Sequence, residues 1–146
     1  MHRLIKIRII RDFEHLEERW RCQPDTLFES TRTHIHFRPA ADFYETAQGL
    51  VLRLELAGVK PETLSLSLAG QELVVQGRRL PPPPEGIRRF IHLEIGFGAF
   101  ERCFILPIPV DPQDVQARYL DGILEITLPR KAPQVRQIPV KQADRE

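Results

Sequence analysis

The segment ARYLDGILEITLPR, residues 117–130, predicts two strands joined by a tight turn at Asp121-Gly122. Asp-Gly is typical of a two-residue hairpin turn, because glycine adopts positive φ without steric cost. The segment is therefore predicted to form an antiparallel β-hairpin, which needs further strands to pair with it in a sheet.

Two segments upstream alternate apolar and polar residues with the period of a half-buried strand. Residues 49–56 place leucine at every second position, and residues 63–68 alternate leucine with threonine or serine without exception. Further strands are predicted at residues 37–45, 73–79, 98–106, 115–120 and 123–128. This spacing, with few helical patterns, predicts an all-β, antiparallel, immunoglobulin-like β-sandwich.

Length and composition limit the possible classes of protein. The chain has 146 residues, 42% of them hydrophobic, and a net charge of +1. One domain with a real core is expected, and nucleic-acid binding is not, because basic and acidic residues are interspersed. Residues 4–10 are too short and too charged to span a bilayer. Cys22 and Cys103 form no C-x-x-C pair, so reduced thiols and a cytoplasmic location are expected.

Residues 1–36 are predicted to be an N-terminal arm, residues 37–130 the sandwich, and residues 131–146 a C-terminal extension. Within the arm, residues 12–21 have the periodicity of one short amphipathic helix that ends before Pro24. The helix either packs on its own domain or contacts other subunits and clients. The candidate client-binding residues of the arm are Phe13, Leu16, Trp20 and Phe28.

Residues 80–97 differ in character from the strands on either side. Pro81–Pro84 form a stiff extended rod that cannot donate hydrogen bonds to a sheet. Beyond the rod, residues 88–95 alternate again between two sets of apolar side chains. This segment is either a strand exchanged with another subunit or an edge hairpin on its own domain.

The C-terminal extension contains an isolated apolar pair, Ile138 and Val140, separated by Pro139. Residues i and i+2 of an extended chain point the same way, so the two side chains form a two-pronged plug. Because the surrounding sequence is too polar to fold alone, the plug is predicted to insert into a groove of a partner subunit.

No pattern in the sequence supports catalysis. None of the three serines lies in a G-x-S-x-G motif, and no glycine-rich phosphate loop is present. Cys103 is interpreted as a structural thiol, and His34 with His36 would supply only half of a zinc site. We therefore expect a protein that is not an enzyme and that uses no cofactor or metal.

Several motifs agree in order and spacing with one family. They are GVKPE at 58–62, FERCFILP at 100–107, ARYLDGIL at 117–124, LPR at 128–130 and the distal IPV at 138–140. With these motifs the chain resembles the small heat shock protein (α-crystallin domain) family. Two positions depart from the family's pattern, because Ala57 replaces a common proline and Ile95 follows Glu94 where a basic residue is frequent.

The resemblance implies two contact surfaces. Subunits of this family dimerise by exchanging the strand in the long loop, which here implies an interface made by Arg89, Phe90, Ile91, His92, Leu93, Glu94 and Arg102. The tail plug docks between two strands of a neighbouring dimer, which implies a groove lined by Leu64, Leu66, Leu68, Val115, Ala117 and Tyr119.

The implied activity is that of a stress-response holdase chaperone, which binds partly unfolded proteins without ATP and slows their aggregation. The expected partners are such client proteins and further copies of the chain, assembled as dimers into a larger homo-oligomer. An alternative is a CS-type co-chaperone adaptor, a sandwich that would need neither the loop strand nor the tail plug. Native mass would separate the two, because the adaptor should be monomeric.

Overall fold

A computed structural model describes residues 7–9, 37–133 and 138 of the chain. The described part is all-β, as predicted, with one 3-10 helix at Pro61–Thr63. The helix predicted over residues 12–21 lies outside the described residues. The strands are β1 (Ile7–Ile9), β2 (Ala41–Glu45), β3 (Gly49–Glu55), β4 (Ser65–Ala69), β5 (Glu72–Arg79), β6 (Gly98–Ile105), β7 (Gln116–Leu120) and β8 (Ile123–Pro129).

The strands form two four-stranded sheets, with strand orders β1-β4-β5-β6 and β2-β3-β8-β7. Every pairing is antiparallel except that of β1 with β4, which is parallel. The predicted antiparallel sandwich is thus confirmed. The strand β1 was not predicted, because its three residues are too few to show a strand period within the arm.

The core lies between the sheets and is built from the predicted leucine alternation. Leu50, Leu52 and Leu54 of β3 are at most 2% exposed, and they pack against apolar residues of the facing sheet such as Leu66 and Val75. Full burial of one such side chain contributes about 1.5–3 kcal/mol. The alternation therefore supplies both the position of the strands and most of the free energy that joins the sheets.

The hairpin at residues 117–130 is present as predicted. Asp121 and Gly122 both adopt positive φ, at 51° and 80°, and they join β7 to β8 with Leu120 opposite Ile123. A Cβ atom on Gly122 would lie 2.9 Å from the Cα of Ala57, so the close approach of that backbone also requires glycine.

Two predicted strands begin later than expected. The strand predicted from Thr63 begins at Ser65, because the Thr63 amide and hydroxyl both donate to the carbonyl of Lys60 and close the 3-10 turn. The strand predicted from residue 37 begins at Ala41, two residues after Pro39. Proline has no N–H to donate to a ladder, which favours a later start.

Cys103 in β6 is disulfide-bonded, and no free cysteine is present among the described residues. The expectation of a reduced thiol is therefore wrong for Cys103. The chain's other cysteine, Cys22, lies outside the described residues. Sequence separation could not indicate the bond, because pairing depends on how closely the fold brings two Cβ atoms together.

Candidate assembly and docking surfaces

The two sheets face each other with defined lateral edges. On one side β6 lies against β2, since the rings of Phe104 and Phe43 are 5.8 Å apart and Arg102 reaches the carbonyl of Pro39. The strand orders then place β1, with β4 next to it, on the same side as β7 of the second sheet. This second side is the β4–β7 groove, the site predicted for the tail plug.

The residues predicted to line the groove lie together, but most of them belong to the core. Leu64, Leu66, Leu68 and Val115 are buried, whereas Ala117 and Tyr119 are partly buried and pack against the core. The leucines thus form the floor of the groove, and at most 6% of each is exposed in the structure. The sequence pattern could not distinguish floor from rim, because both carry apolar residues.

Tyr119 of β7 is held in place through its hydroxyl group. The hydroxyl lies 2.8 Å from the carbonyl oxygen of Leu56 and 3.0 Å from that of Val59, and it can donate to either. Burial raises the pKa of Tyr119 above its ordinary value of 10.0, the positive charge of Arg79 opposes this, and Glu55 adds to it. The neutral phenol is therefore the form that the fold stabilises.

The outer edge of β4 is occupied by β1. Ile7 pairs with Leu66, Arg8 with Ser67 and Ile9 with Leu68 in a parallel ladder. On its other edge β4 pairs with β5 over residues 65–69 and 72–76. Both backbone edges of β4 therefore have a partner within this chain.

The tail plug is described only at Ile138. This side chain is 81% exposed, so it does not sit in the groove of its own chain. Pro139 and Val140 lie outside the described residues, as do the proposed client-binding residues of the arm, Phe13, Leu16, Trp20 and Phe28.

A second surface, the loop surface, consists of the apolar residues between β5 and β6. Residues 80–97 form no strand, and their large apolar side chains other than the partly buried Phe97 are 43–86% exposed. The members of the surface are Leu80, Ile87, Phe90, Ile91, Leu93 and Ile95. Most of the predicted dimer-interface residues lie in the same loop, including His92 and Glu94, whose Nε2 and Oε1 atoms are 2.8 Å apart. Several large apolar residues exposed together are typical of an interaction site.

The return end of the loop is fixed by a cluster that sequence reasoning missed. The guanidinium of Arg79 lies 3.9 Å above the ring of Phe37, and its Nη1 donates to the carbonyl of Gly96 at 3.4 Å. Phe37 also packs edge-on against Phe100, with 5.7 Å between ring centroids. Arg79 is only 8% exposed, and its charge is balanced by Glu55 at 3.6 Å. These contacts hold the base of an otherwise exposed loop.

Arg102 was predicted at the dimer interface but is not part of the loop. It lies on β6, where its Nη1 donates to the carbonyl of Pro39 at 2.6 Å and its guanidinium lies 5.1 Å from the ring of Phe104. Within the chain this residue therefore connects β6 to the segment that precedes β2. That role is compatible with a position near an interface formed by β2.

The strand β2 has one partner among the described strands, β3, which leaves its outer edge unpaired there. Its side chains at Asp42, Tyr44 and Glu45 are exposed. The loop between β5 and β6 carries Arg88 and Arg89 as well as Glu85 and Glu94, so its two arginines are complementary in charge to the acidic residues of β2. Glu45 additionally pairs with Arg130 at the end of β8.

Neither a metal site nor a membrane span is indicated in the described part of the chain. Among residues 7–9, 37–133 and 138, no three histidine, cysteine or acidic side chains are grouped so that they could hold an ion. Over the same residues, no helix has the length and apolar character needed to cross a bilayer.

The fold is an eight-stranded sandwich with an exposed loop between β5 and β6. Comparison with known proteins shows which family has this fold. Residues 42–141 match the Hsp20/alpha crystallin family. The spore protein SP21 of Stigmatella aurantiaca is 35% identical over 95 residues, covering 65% of this chain and 56% of that protein. The small heat shock protein C2 of Rickettsia felis is 29% identical over 113 residues, covering 77% of this chain and 73% of that protein.

Solved structures agree with the sequence comparison. A small heat-shock protein from Xylella fastidiosa, described as having a distinct high order structure, superposes with a TM-score of 0.63 at 27% identity. That match covers 73% of this chain and 99% of the Xylella chain. The protein belongs to the Hsp20/alpha crystallin family, the small heat shock proteins known as chaperones.

Proposed function

We propose that the protein is a holdase, a non-enzymatic chaperone that binds partly unfolded proteins without ATP and prevents their aggregation. The observation that carries this proposal is the loop surface, where six large apolar residues are exposed on one short segment. Burying such side chains against another chain is favourable by about 25 cal/mol per Å² of apolar surface. Family membership supports the same function.

The proposed unit of assembly is a dimer in which each subunit adds residues 88–95 to the outer edge of the partner's β2. An unpaired edge is a template for strand addition, since its N–H and C=O groups lack ladder partners. Arg88 and Arg89 would then approach Asp42 and Glu45, which favours this edge over that of β6, where Arg102 lies.

Larger assemblies are proposed to form through the tail. Ile138, Pro139 and Val140 of one subunit would enter the β4–β7 groove of a subunit in another dimer. Pro139 restrains the backbone, so less conformational entropy is lost on docking. The exposure of Ile138 supports this proposal, because an isolated apolar residue on a polar tail has surface available for a partner.

Client binding would follow from partial release of these contacts. Heat or dilution shifts the equilibrium from the assembled state to smaller species, and each released contact exposes apolar surface that an unfolding protein can cover. The arm residues Phe13, Leu16, Trp20 and Phe28 are proposed to contribute to the same binding. No nucleotide enters this cycle, because weak reversible contacts alone open and close the surfaces.

The test is suppression of aggregation in the absence of nucleotide. Purified full-length protein is heated with an unrelated, thermally unstable enzyme, and light scattering is recorded at subunit ratios from one to ten. We expect scattering to fall steeply near equal subunit concentrations, with no change when ATP is added. An equal mass of serum albumin is the control. Scattering that falls only with ATP, or not at all, would contradict holdase activity.

The proposed compartment is the cytoplasm, where a holdase that needs no nucleotide would meet unfolding chains. Cell fractionation with an antibody against the protein tests this location. Recovery from an oxidising compartment instead would agree with the disulfide at Cys103 and would overturn the proposal.

A further inference from the structure

The edge of β4 has two candidate occupants in the same sequence. One is the tail segment Ile138-Pro139-Val140, which the proposed function places in the β4–β7 groove. The other is β1, which pairs with β4 through Ile7, Arg8 and Ile9 in the structure. Both segments carry β-branched apolar residues at positions i and i+2, the spacing that places two side chains on one face of a strand.

The two segments would use the same backbone groups. A strand has two edges, and β5 fills the inner edge of β4 along its whole length. The outer edge therefore accepts one extended segment at a time. In the register of the structure, Ile7 and Ile9 lie opposite Leu66 and Leu68, the leucines that form the floor of the groove.

We propose that β1 is an intramolecular competitor of the tail, an autoinhibitory segment that must leave the edge of β4 before a neighbouring tail can dock. This inference rests on the tail docking proposed above. A part of the arm with no predicted contact to the groove would thus have a regulatory role.

The covalent link favours β1 over a tail from another molecule. Residues 10–36 join β1 to the sandwich, so β1 is present near the groove at a local concentration on the order of mM. If the edge is occupied by β1 with equilibrium constant K, the apparent Kd of the tail is raised by the factor 1 + K. An occupancy ratio of about ten to one would therefore weaken tail docking about eleven-fold.

The central residues of the two segments favour docking in different ways. Arg8 retains a backbone N–H that can join a ladder, whereas Pro139 has none. Proline compensates by restraining φ before docking, which reduces the entropy lost. The arm segment can thus make more backbone hydrogen bonds, whereas the tail segment has the stiffer backbone. Raising the concentration of tails can reverse the competition.

The experiment measures docking of the tail directly. The probe is a fluorescently labelled peptide of residues 131–146, and the receptor is the full chain with Ile138→Ser and Val140→Ser, which inactivate its own tail. Fluorescence anisotropy gives the Kd for this receptor and for one that also carries Ile7→Ser and Ile9→Ser. We expect at least a three-fold tighter Kd when β1 is disabled.

The matched control is Arg8→Ser, which keeps both isoleucines and should leave the Kd within two-fold. Deletion of residues 1–9 is a second way to remove β1 and should tighten the Kd as the double substitution does. An unlabelled peptide of residues 3–11 should displace the tail peptide from the receptor that lacks a working β1.

The possible failures are distinguishable. Equal Kd values with and without β1, or no displacement by the arm peptide, would overturn the competition and leave tail docking intact. A tail peptide that binds none of the receptors would overturn docking in this groove, and the competition with it. Neither result would bear on the suppression of aggregation, which is measured separately.

Discussion

The strand β3 and the loop between β5 and β6 carry the same kind of sequence and have opposite environments. Leu50, Leu52 and Leu54 alternate along β3 and are buried between the sheets, whereas Ile91 and Leu93 alternate along the loop and are 86% and 69% exposed. An alternating pattern thus indicates that one face of the segment must pack against other apolar residues. The pattern does not indicate whether those apolar residues belong to the same chain or to another subunit.

The prolines of the loop explain why the two segments differ. Pro81–Pro84 follow β5 after one residue, Leu80, and four residues without N–H donors cannot continue the ladder of the first sheet. The segment beyond them is therefore held away from the edges of its own sheets. The loop residues are therefore expected to behave as core residues only when a second subunit is present.

The largest effect is expected from removal of the loop. Deleting residues 86–95 should convert dimers to monomers while the sandwich remains folded, because all eight strands lie outside this segment. The single substitution Ile91→Pro should act similarly, since it removes a donor from the intersubunit ladder. Sedimentation velocity measures the mass, and circular dichroism checks the fold.

Glu85→Ala is the matched control for the loop variants, because it changes an exposed residue that precedes the proposed ladder. This variant should remain dimeric. A loop-deleted chain that sediments as a dimer would place the interface elsewhere and would break the comparison between β3 and the loop.

The next largest effect is expected at the tail. Ile138→Ser with Val140→Ser should leave folded dimers but abolish larger assemblies, because burial of each side chain contributes about 1.5–3 kcal/mol. Gln137→Ala and Lys141→Ala change the neighbouring polar positions and should retain the wild-type mass. Native mass spectrometry reports the distribution, and a double variant at the full oligomer mass would leave the arm as the assembly element.

A pair of truncations compares a β3 leucine with a loop leucine directly. Both are made in the monomeric Ile91→Pro chain, so that dimerisation does not enter the free energy of unfolding. Leu52→Ala should lower this free energy by about 2–5 kcal/mol, the range for a buried leucine. Leu93→Ala should change it by less than about 0.5 kcal/mol, as expected for an exposed position. Urea denaturation measures both, and equal losses would contradict the distinction.

A smaller loss of stability than that of Leu52→Ala is expected at Tyr119. Tyr119→Phe removes the hydrogen bond to the backbone near β3 and should cost about 1 kcal/mol at pH 7. The raised pKa of the folded state means that the phenol stabilises the fold below pH 10.0 and that this contribution is lost as pH rises through the raised pKa. The stability difference between wild type and variant should therefore shrink above pH 10. A difference that grows there would reverse the sign of the proposed shift.

Local patterns predicted the sandwich because its strands are long enough to show a period. The hairpin at Asp121-Gly122 and the leucines of β3 and β4 were identified in this way. The contact of Arg79 with Phe37 could not be predicted, since it joins residues that are far apart in sequence and depends on the final arrangement of the loop. The same reason applies to the disulfide at Cys103.

The pairing of β1 with β4 was missed for a different reason. Ile7 and Ile9 lie in a short apolar segment that also carries charged residues. Parallel pairing with a distant edge leaves no turn between the two strands that would reveal the pairing. Register between segments so far apart is set by the shape of the folded sheet. The plug in the tail was easier to recognise, because its apolar pair is isolated in a polar sequence.

Amide hydrogen exchange of residues 88–95 as a function of protein concentration tests the central claim most directly. If these residues pair with β2 of a second subunit, their amides and those of residues 41–45 should become protected together as dimers form. In the Ile91→Pro chain, residues 88–95 and those amides of residues 41–45 that do not point to β3 should exchange rapidly at every concentration. Rapid exchange of residues 88–95 in a sample that sedimentation shows to be dimeric would contradict the exchanged strand.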